Sequence, residues 1–206
     1  MADLRELFAS SSAAVWDAFA DEVGGRFTEA GWGEGDVVRA KVGSWIVTLD
    51  TYSSSTTAGA EHTQNYTRLR APYVNPDGLR FTVYRASLFS AVGRLLRLQD
   101  IRVGYPDFDR DFIIKGNDDA KVRALFANER LRELLTAQPT VHLQVKDDEG
   151  WFDDDFPEGV DELYFRAPGV IDDIDRLRTL FDVFGEALNH LCRVGAAYED
   201  DAEPVA

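Results

Sequence analysis

The chain has 206 residues, 45% of them hydrophobic, and carries a formal net charge of −15. This apolar content, with four Trp, seven Tyr and thirteen Phe, is typical of a globular protein and excludes an intrinsically disordered one. The single cysteine, Cys192, excludes an intrachain disulfide, so the chain suits a reducing compartment. We expect a cytoplasmic protein.

The first 25 residues predict an amphipathic helix. Their apolar residues recur near helical spacing, and Gly24 and Gly25 follow as a stop signal. The segment has neither a basic start nor an unbroken apolar stretch, so it predicts neither a signal peptide nor a membrane span. We therefore expect no membrane among the partners.

The next part of the chain predicts an antiparallel sheet. Four runs rich in β-branched and aromatic residues are the expected strands, over residues 36–42, 44–53, 62–74 and 79–86. The first pair turns near Gly43, and the second pair is joined by Asn-Pro-Asp-Gly at 75–78, which suits a tight turn. An apolar stripe over residues 87–100 predicts a helix that covers this four-stranded sheet.

The stretch "GYPDFDRDFIIKGNDDAKVRALF", residues 104–126, raises the question of a metal site. Asp107, Asp109 and Asp111 alternate like the start of a calcium loop. That loop requires Gly at its sixth position and Glu at its twelfth. Here these positions hold Phe112 and Asp118, so the spacing excludes a calcium loop.

A metal-dependent nuclease is also disfavoured in this stretch. Such sites place an acidic residue two positions before a lysine, and Ile113 occupies that position relative to Lys115. The favoured interpretation is structural: the aspartates stay in solvent at the entrance of a strand, and Asn117 caps the helix that follows.

The remaining elements predict a second α+β unit. They are a strand over 111–116, a helix or helix pair over 118–135, strands over 140–146 and 162–167, and a long last helix. We therefore expect an α+β fold of two antiparallel sheets, each covered by helices, with an N-terminal helix and a long C-terminal helix. The predicted domains are residues 1–103 and 104–198, followed by an acidic tail at 199–206; one continuous domain is the alternative.

Two segments, "LLRLQDIRVGYPDFDRDFIIKGND" and "LRTLFDVFGEALNHLCRVG", resemble segments of uncharacterised bacterial proteins. In those proteins an apolar helix runs into a Gly-x-Pro-x-Phe-Asp-x-x-Phe strand. The resemblance covers about a quarter of the chain and brings no catalytic residue with it. It therefore implies no activity, and we expect no catalytic residue, no cofactor and no bound metal.

The most acidic part of the chain is a candidate binding site. Residues 147–162 hold nine acids and no base, with aromatic rings among them. Rings among carboxylates suit a basic, partly apolar partner. The candidate residues are Trp151, Phe152, Asp153, Asp154, Asp155 and Phe156. The alternatives are a solvated loop that its rings anchor to the core, and a divalent cation held by the acids.

A second candidate surface is basic. Residues 62–106 carry seven arginines against two aspartates, and Tyr66, Arg68 and Arg70 alternate onto one face of the predicted sheet. Aromatic and basic groups on a sheet are typical of nucleic-acid binding. The net charge of −15 opposes approach to a polyanion, so nucleic-acid binding is kept as an alternative function.

The function that these features favour is that of a non-catalytic binding or assembly protein. Its partner is expected to be another protein or a second copy of the chain. A metal-dependent hydrolase that uses the clustered aspartates is the first alternative, and nucleic-acid binding through the basic sheet face is the second.

The last predicted helix motivates self-association. Its apolar positions alternate by three and four residues and form a seam of Ile174, Leu177, Phe181, Phe184, Leu188 and Leu191. Burial of this seam on the chain's own sheet is the alternative. A basic middle and an acidic segment on one chain also predict attraction between copies.

Overall fold

The computed structural model describes residues 4–29, 35–56, 62–86, 99–146 and 159–198. The helices in these ranges are α1 (Leu4–Glu22), α2 (Pro106–Asp111), α3 (Asp119–Leu125), α4 (Glu129–Ala137) and α5 (Ile174–Arg193). The strands are β1 (Arg26–Thr28), β2 (Val37–Val42), β3 (Trp45–Thr56), β4 (His62–Val74), β5 (Phe81–Arg85), β6 (Gln99–Asp100), β7 (Phe112–Gly116), β8 (His142–Lys146) and β9 (Val160–Pro168).

All the strands that the structure describes lie in one antiparallel sheet, in the order β1-β2-β3-β4-β9-β8-β5-β7-β6. The mixed class, with helices against an antiparallel sheet, is confirmed, and the prediction of two sheets is wrong. In this order, the strands of residues 104–198 lie between strands of residues 1–103: β9 and β8 lie between β4 and β5, and β7 lies between β5 and β6. The division of the chain into two domains stays a prediction.

The prediction of two sheets was wrong because it assigned β4 the wrong partner strand. The predicted β4–β5 hairpin does not form: β4 pairs with β9, while β5 pairs with β7 and β8. The 75–78 turn exists, but the Asn75 side chain donates to the Leu79 carbonyl and to the carboxylate of Asp161 on β9. This contact fixes the turn against β9, and β5 continues as an interior strand with Phe81 to Tyr84 buried.

The β2–β3 hairpin forms as predicted. Val37 to Val42 pair in antiparallel register with Asp50 to Trp45, and Gly43 takes a φ of +61° in the turn, a conformation that glycine adopts without a steric penalty. Because side chains alternate along a strand, Val47 and Leu49 enter the core while Thr48 and Asp50 lie on the other face.

Helices α1 and α5 cover one face of the sheet. The Trp16 indole Nε1 donates to the Ile171 carbonyl at 2.8 Å, and the rings of Phe19 and Phe181 meet edge to face at 4.9 Å between centroids. The seam of α5 packs here: five of its positions are buried, and Ile174 packs against the core partly buried. The five are Leu177, Phe181, Phe184, Leu188 and Leu191. The seam is therefore used inside the chain, and it no longer supports self-association.

The helix cap that was predicted at Asn117 lies one residue later in the chain. Asp118, and not Asn117, caps α3 by accepting the backbone N–H of Lys121. Asn117 instead accepts from the Arg80 backbone N–H and donates to the Gly78 carbonyl. Asp173 and Asn128 cap α5 and α4 in the same way as Asp118. The side chains of the 75–78 turn and the start of α3 are thus joined by hydrogen bonds.

No described helix has the length and apolar character that crossing a membrane requires.

Helix α5 approaches β2 closely at Gly185. A Cβ atom at this position would lie 2.8 Å from the Cγ1 of Val42. Glycine inside a helix costs about 1 kcal/mol relative to alanine, so the close packing of α5 on the sheet is what favours it here.

We expect Gly185→Ala to lower the free energy of unfolding by about 1 kcal/mol, because overpacking outweighs the gain in helix propensity. Urea unfolding of Gly185→Ala, Val42→Ala and the double variant measures this. In the double variant the space left by Val42 should make the Gly185→Ala step neutral or stabilising. A single Gly185→Ala variant as stable as the wild type would contradict the close approach.

Candidate binding face

The sheet face opposite α1 and α5 is the candidate site, and we call it the far face. It consists of the residues of β2, β3, β4, β9 and β8 that alternate with the core residues. The bases among them are Arg39, Lys41, Arg68, Arg70, Lys146 and Arg166, and the acids are Asp50 and Glu162. Six bases against two acids give this face a balance of +4, although the whole chain carries −15.

The predicted residues of the basic surface lie together on the far face. Strand register pairs Arg70 with Thr48, Arg68 with Asp50, and Tyr66 with Tyr52. The alternation of Tyr66, Arg68 and Arg70 is therefore as predicted. Their role in binding stays a prediction.

Asp50 is the centre of an arginine cluster. Its carboxylate accepts from Arg68 through Nε at 2.7 Å and Nη2 at 2.8 Å, and from Arg70 through Nη2 at 2.7 Å. Asp50 is 4% exposed, while both arginine side chains keep about a quarter of their surface in solvent. Charge-assisted bonds of this bidentate kind are among the stronger hydrogen bonds in proteins. They hold both guanidinium groups in place.

Arg166 adds a third guanidinium to the cluster. It lies directly opposite Arg68 across the β4–β9 pair, a placement that is unfavourable for like charges unless an anion compensates. Arg166 donates through Nε to His142 Nδ1 at 2.8 Å and through Nη1 to the Tyr52 hydroxyl at 3.4 Å. Both acceptors are uncharged. Within the described ranges no ion pair joins Arg166 to a carboxylate.

The arginine cluster therefore has more positive charge than its own acid neutralises. The Asp50 carboxylate binds Arg68 and Arg70, whereas Arg166 donates to uncharged acceptors, so the three half-buried guanidinium groups exceed the one carboxylate that they contact. In addition, the buried Nε of Arg70 has no hydrogen-bond acceptor among the described residues. An arrangement of this kind suits an external anion.

Two tyrosine rings frame the cluster. Tyr52 and Tyr66 stack at 5.2 Å between centroids and 15° between planes. The Arg68 guanidinium lies 5.2 Å from the centre of the Tyr52 ring, and that of Arg166 lies 5.6 Å from the centre of the Tyr66 ring. These cation–π contacts orient the guanidinium groups without neutralising them.

A second group of ionisable side chains lies beside the cluster on β8 and β9. Burial raises the pKa of Glu162 from 4.5 to about 6, against the opposing effect of Arg70 and Lys146. Burial also lowers the pKa of His142 from 6.5 to about 4, with a further contribution from the Arg166 guanidinium. His142 is therefore neutral at pH 7, as its role as an acceptor from Arg166 requires. The Lys146 ammonium lies 3.5 Å from the centre of the Tyr164 ring.

The other sequence-predicted sites have different outcomes. Trp151, Phe152, Asp153, Asp154, Asp155 and Phe156 lie outside the described residues. The aspartates of 107–111 lie on α2 and not at a strand entrance. Asp109 accepts the backbone N–H groups of Val103 and Gly104 at 2.8 and 2.9 Å, while Asp107 and Asp111 pair with Arg110. In the part of the chain that the structure describes, no three His, Cys, Asp or Glu side chains are grouped to hold a metal ion.

A shallow groove lies between α2 and α4. Its volume is about 510 Å³, and Tyr105, Phe108, Glu129, Arg132 and Glu133 are among its lining residues. The Arg132 guanidinium lies 3.4 Å from the centre of the Tyr105 ring and donates to the Phe126 carbonyl at 2.6 Å. The Arg132 guanidinium therefore already occupies one face of the Tyr105 ring.

Sequence reasoning missed half of the arginine cluster. Asp50 and Tyr52 alternate in "TLDTY", and Tyr164 and Arg166 alternate in "LYFR", so period two assigns each pair to one face of its own strand. It does not say which strands are neighbours. The β4–β9 pairing brings Arg166 to Arg68, and no local pattern in the sequence specifies that pairing.

We expect Asp50→Asn to lower the free energy of unfolding by about 2 kcal/mol, because Arg68 and Arg70 then lose the carboxylate that both of them bind. The matched control is Asp119→Asn, which breaks the exposed Asp119–Arg123 pair on α3 and should cost about 0.5 kcal/mol or less. Urea unfolding at pH 7 checks both values. Equal losses in the two variants would mean that Asp50 does not hold the arginine cluster.

His142 and Glu162 should give the stability opposite dependences on pH. Between pH 6.5 and 4 the unfolded chain binds a proton at His142 that the folded chain does not, so acid destabilises the fold there. Between pH 4.5 and 6 the folded chain keeps a proton on Glu162 that the unfolded chain has lost, so stability falls as the pH rises.

We therefore expect His142→Gln to lose less stability than the wild type on acidification from pH 7 to 4.5, and Glu162→Gln to lose more, by about 2 kcal/mol each. Unfolding free energies from urea titrations at four pH values measure both slopes. Profiles parallel to that of the wild type would show that these groups titrate normally.

No protein-family model matches the chain, and no curated protein matches it. Among solved structures, the chain is similar to the crystal structure of the mycobacterial trehalose monomycolate transport factor A, TtfA. The alignment covers 95% of this chain and 98% of that one, at 12% sequence identity and a TM-score of 0.47. A likeness at this level carries no inference about function.

Proposed function

We propose that the chain is a non-catalytic binding protein whose far face holds an acidic segment of a partner protein. The observation that carries this proposal is the arginine cluster, in which Arg68 and Arg70 share the single carboxylate of Asp50 while Arg166 contacts no carboxylate among the described residues. A carboxylate from a partner compensates the remaining charge, and arginine binds carboxylates through paired, directional hydrogen bonds.

The surroundings of the cluster favour a protein partner over a nucleic acid. Base stacking requires a free aromatic face, whereas Tyr52 and Tyr66 stack on each other and each has a guanidinium group nearby. The net charge of −15 also repels a polyanion over distances beyond the far face itself. A short acidic peptide meets the local positive charge with less of this repulsion.

The cluster also fits binding better than catalysis. Its groups are fixed by mutual contacts, and the neutral His142 already uses Nδ1 to accept from Arg166. The hydrolase alternative names two sets of ligands. The carboxylates of Asp107, Asp109 and Asp111 bind backbone N–H groups or Arg110, and the acids of 153–158 lie outside the described residues.

The test uses fluorescence anisotropy with two labelled probes at low salt, a peptide of twelve glutamates and an oligothymidylate of twelve nucleotides. We expect the peptide to bind the wild type, and Arg166→Gln to weaken its binding about tenfold, as loss of a charge-assisted contact predicts. Arg166→Lys keeps the charge but not the planar pair of N–H donors, so its affinity for the peptide should lie between those of the wild type and Arg166→Gln.

The matched control is Arg123→Gln, which removes one positive charge from the helical side of the molecule and should change the affinity less than twofold. Circular dichroism verifies that each variant is folded. Tighter binding of the oligothymidylate with the same dependence on Arg166 would favour nucleic-acid binding instead. Equal losses in Arg166→Gln and Arg123→Gln would mean that the far face is not the site.

A further inference from the structure

We infer that the acidic segment that the far face binds is residues 147–158 of a second copy of this chain. This inference rests on the proposed function and names its partner. The segment has seven acids and no base over twelve residues, with Trp151, Phe152 and Phe156 among the acids. The far face has the opposite charge and exposes the bases Arg39 and Lys41.

The bases of the far face extend across the strands from β2 to β9, and a ligand must span this width. Register places Arg39 opposite Thr48, Thr48 opposite Arg70, and Arg70 opposite Tyr164. Neighbouring strands lie about 4.8 Å apart, so Arg39 and Tyr164 are separated by about 14 Å. No ion pair joins Arg39 or Lys41 to an acid in the described ranges. These two bases extend the positive surface from the arginine cluster to β2.

The segment of the same molecule is poorly placed to span this whole width. It leaves the sheet at Lys146 and returns at Gly159, and Lys146 pairs with Glu162 at that end of β8 and β9. From β8 to β2 is four strand spacings, about 19 Å. Seven residues from Lys146 to Asp153 span about 23 Å when fully extended.

To reach Arg39 in its own molecule, the backbone from Lys146 to Asp153 would thus need to be almost fully extended, and the first acids of the segment would follow directly after the Lys146–Glu162 pair. A segment from a second copy is not limited by the distance from β8 to β2 of the molecule that it binds. It can place the Asp153–Asp155 carboxylates on the bases of the far face, while Phe152 or Phe156 contacts the exposed Ile46 on β3. Aromatic side chains contribute most when they are buried at such contacts.

Each of the two copies can bind the acidic segment of the other copy on its far face. Each copy has one far face and one acidic segment, so two copies related by a twofold axis satisfy both faces and leave no free binding site. The expected assembly is a closed dimer and not a filament. It does not need the α5 seam, which is buried in the core.

The test is light scattering at micromolar protein in low and high salt. We expect a mass of about 46 kDa in low salt, twice the 23.0 kDa of one chain, and a shift towards the monomer in high salt, because exposed charges are screened. The variants Arg39→Glu with Lys41→Glu, and Asp153→Lys with Asp154→Lys and Asp155→Lys, should each be monomeric.

Mixing the two charge-reversed variants gives a sharper result. One variant then has negative charges on the β2 part of its far face, and the other has positive charges at positions 153–155. A mixed dimer should form, because one site pairs these reversed charges and the other pairs an unchanged far face with an unchanged segment, while neither variant dimerises alone. Arg123→Gln is the control and should dimerise as the wild type does. A wild-type mass of 23 kDa at every concentration would overturn the inference, as would a dimer that survives both sets of substitutions.

The outcomes separate this inference from the proposed function. A monomeric wild type that binds the glutamate peptide through Arg166 keeps the proposed function and rejects the second copy as its partner. Failure of both experiments rejects both. A monomeric wild type whose far face binds an added 147–158 peptide only after Asp153, Asp154 and Asp155 are changed to Asn would assign the segment to its own face and overturn the exchange.

Discussion

The pairing of β4 with β9 is the constraint on which the rest of the structure depends. It joins Thr67–Val74 to Val160–Ala167 in antiparallel register, residues that are separated by about 90 positions in the sequence. On one side it brings Leu69 and Phe165 into the same core, and on the other it sets Arg68 opposite Arg166. The hydrophobic core and the charged face are therefore two consequences of one strand register, because a slip by one residue would exchange the two faces.

The far face shows how a strongly acidic protein keeps a local positive surface. Asp50 is buried and neutralises only part of the charge that the arginines around it carry, while the two stacked tyrosines hold the guanidinium groups by their faces and leave their charge intact. Burial raises the pKa of Glu162 to about 6, so this side chain is largely ionised at pH 7 and attracts Arg70 and Lys146. The bases at the β2 side remain exposed.

Local patterns were sufficient for part of this architecture. The β2–β3 hairpin and the apolar stripe of α5 both follow from contacts within a few residues of each other. The alternation of Tyr66, Arg68 and Arg70 was predicted for the same reason. The sheet order was not, because a turn at 75–78 specifies a reversal of the chain and does not specify which strand receives it. The helix α2 had a usable signal, Pro106 at its first position followed by aspartates in the first turn, but the alternation of those aspartates resembled a strand or a metal loop more strongly.

The contact between α1 and the end of the fold has a consequence for synthesis on the ribosome. Trp16 and Phe19 are made early, but the groups that bury them, the Ile171 carbonyl and the Phe181 ring, are made late. One edge of β4 likewise stays unpaired until β9 has been synthesised. Until β9 and α5 have been translated, Trp16 and Phe19 lack these contacts and one long edge of β4 has no native partner, which is the condition that favours chaperone binding or aggregation of a nascent chain. The core therefore closes only after α5 has been synthesised, in a step that involves both α1 and α5.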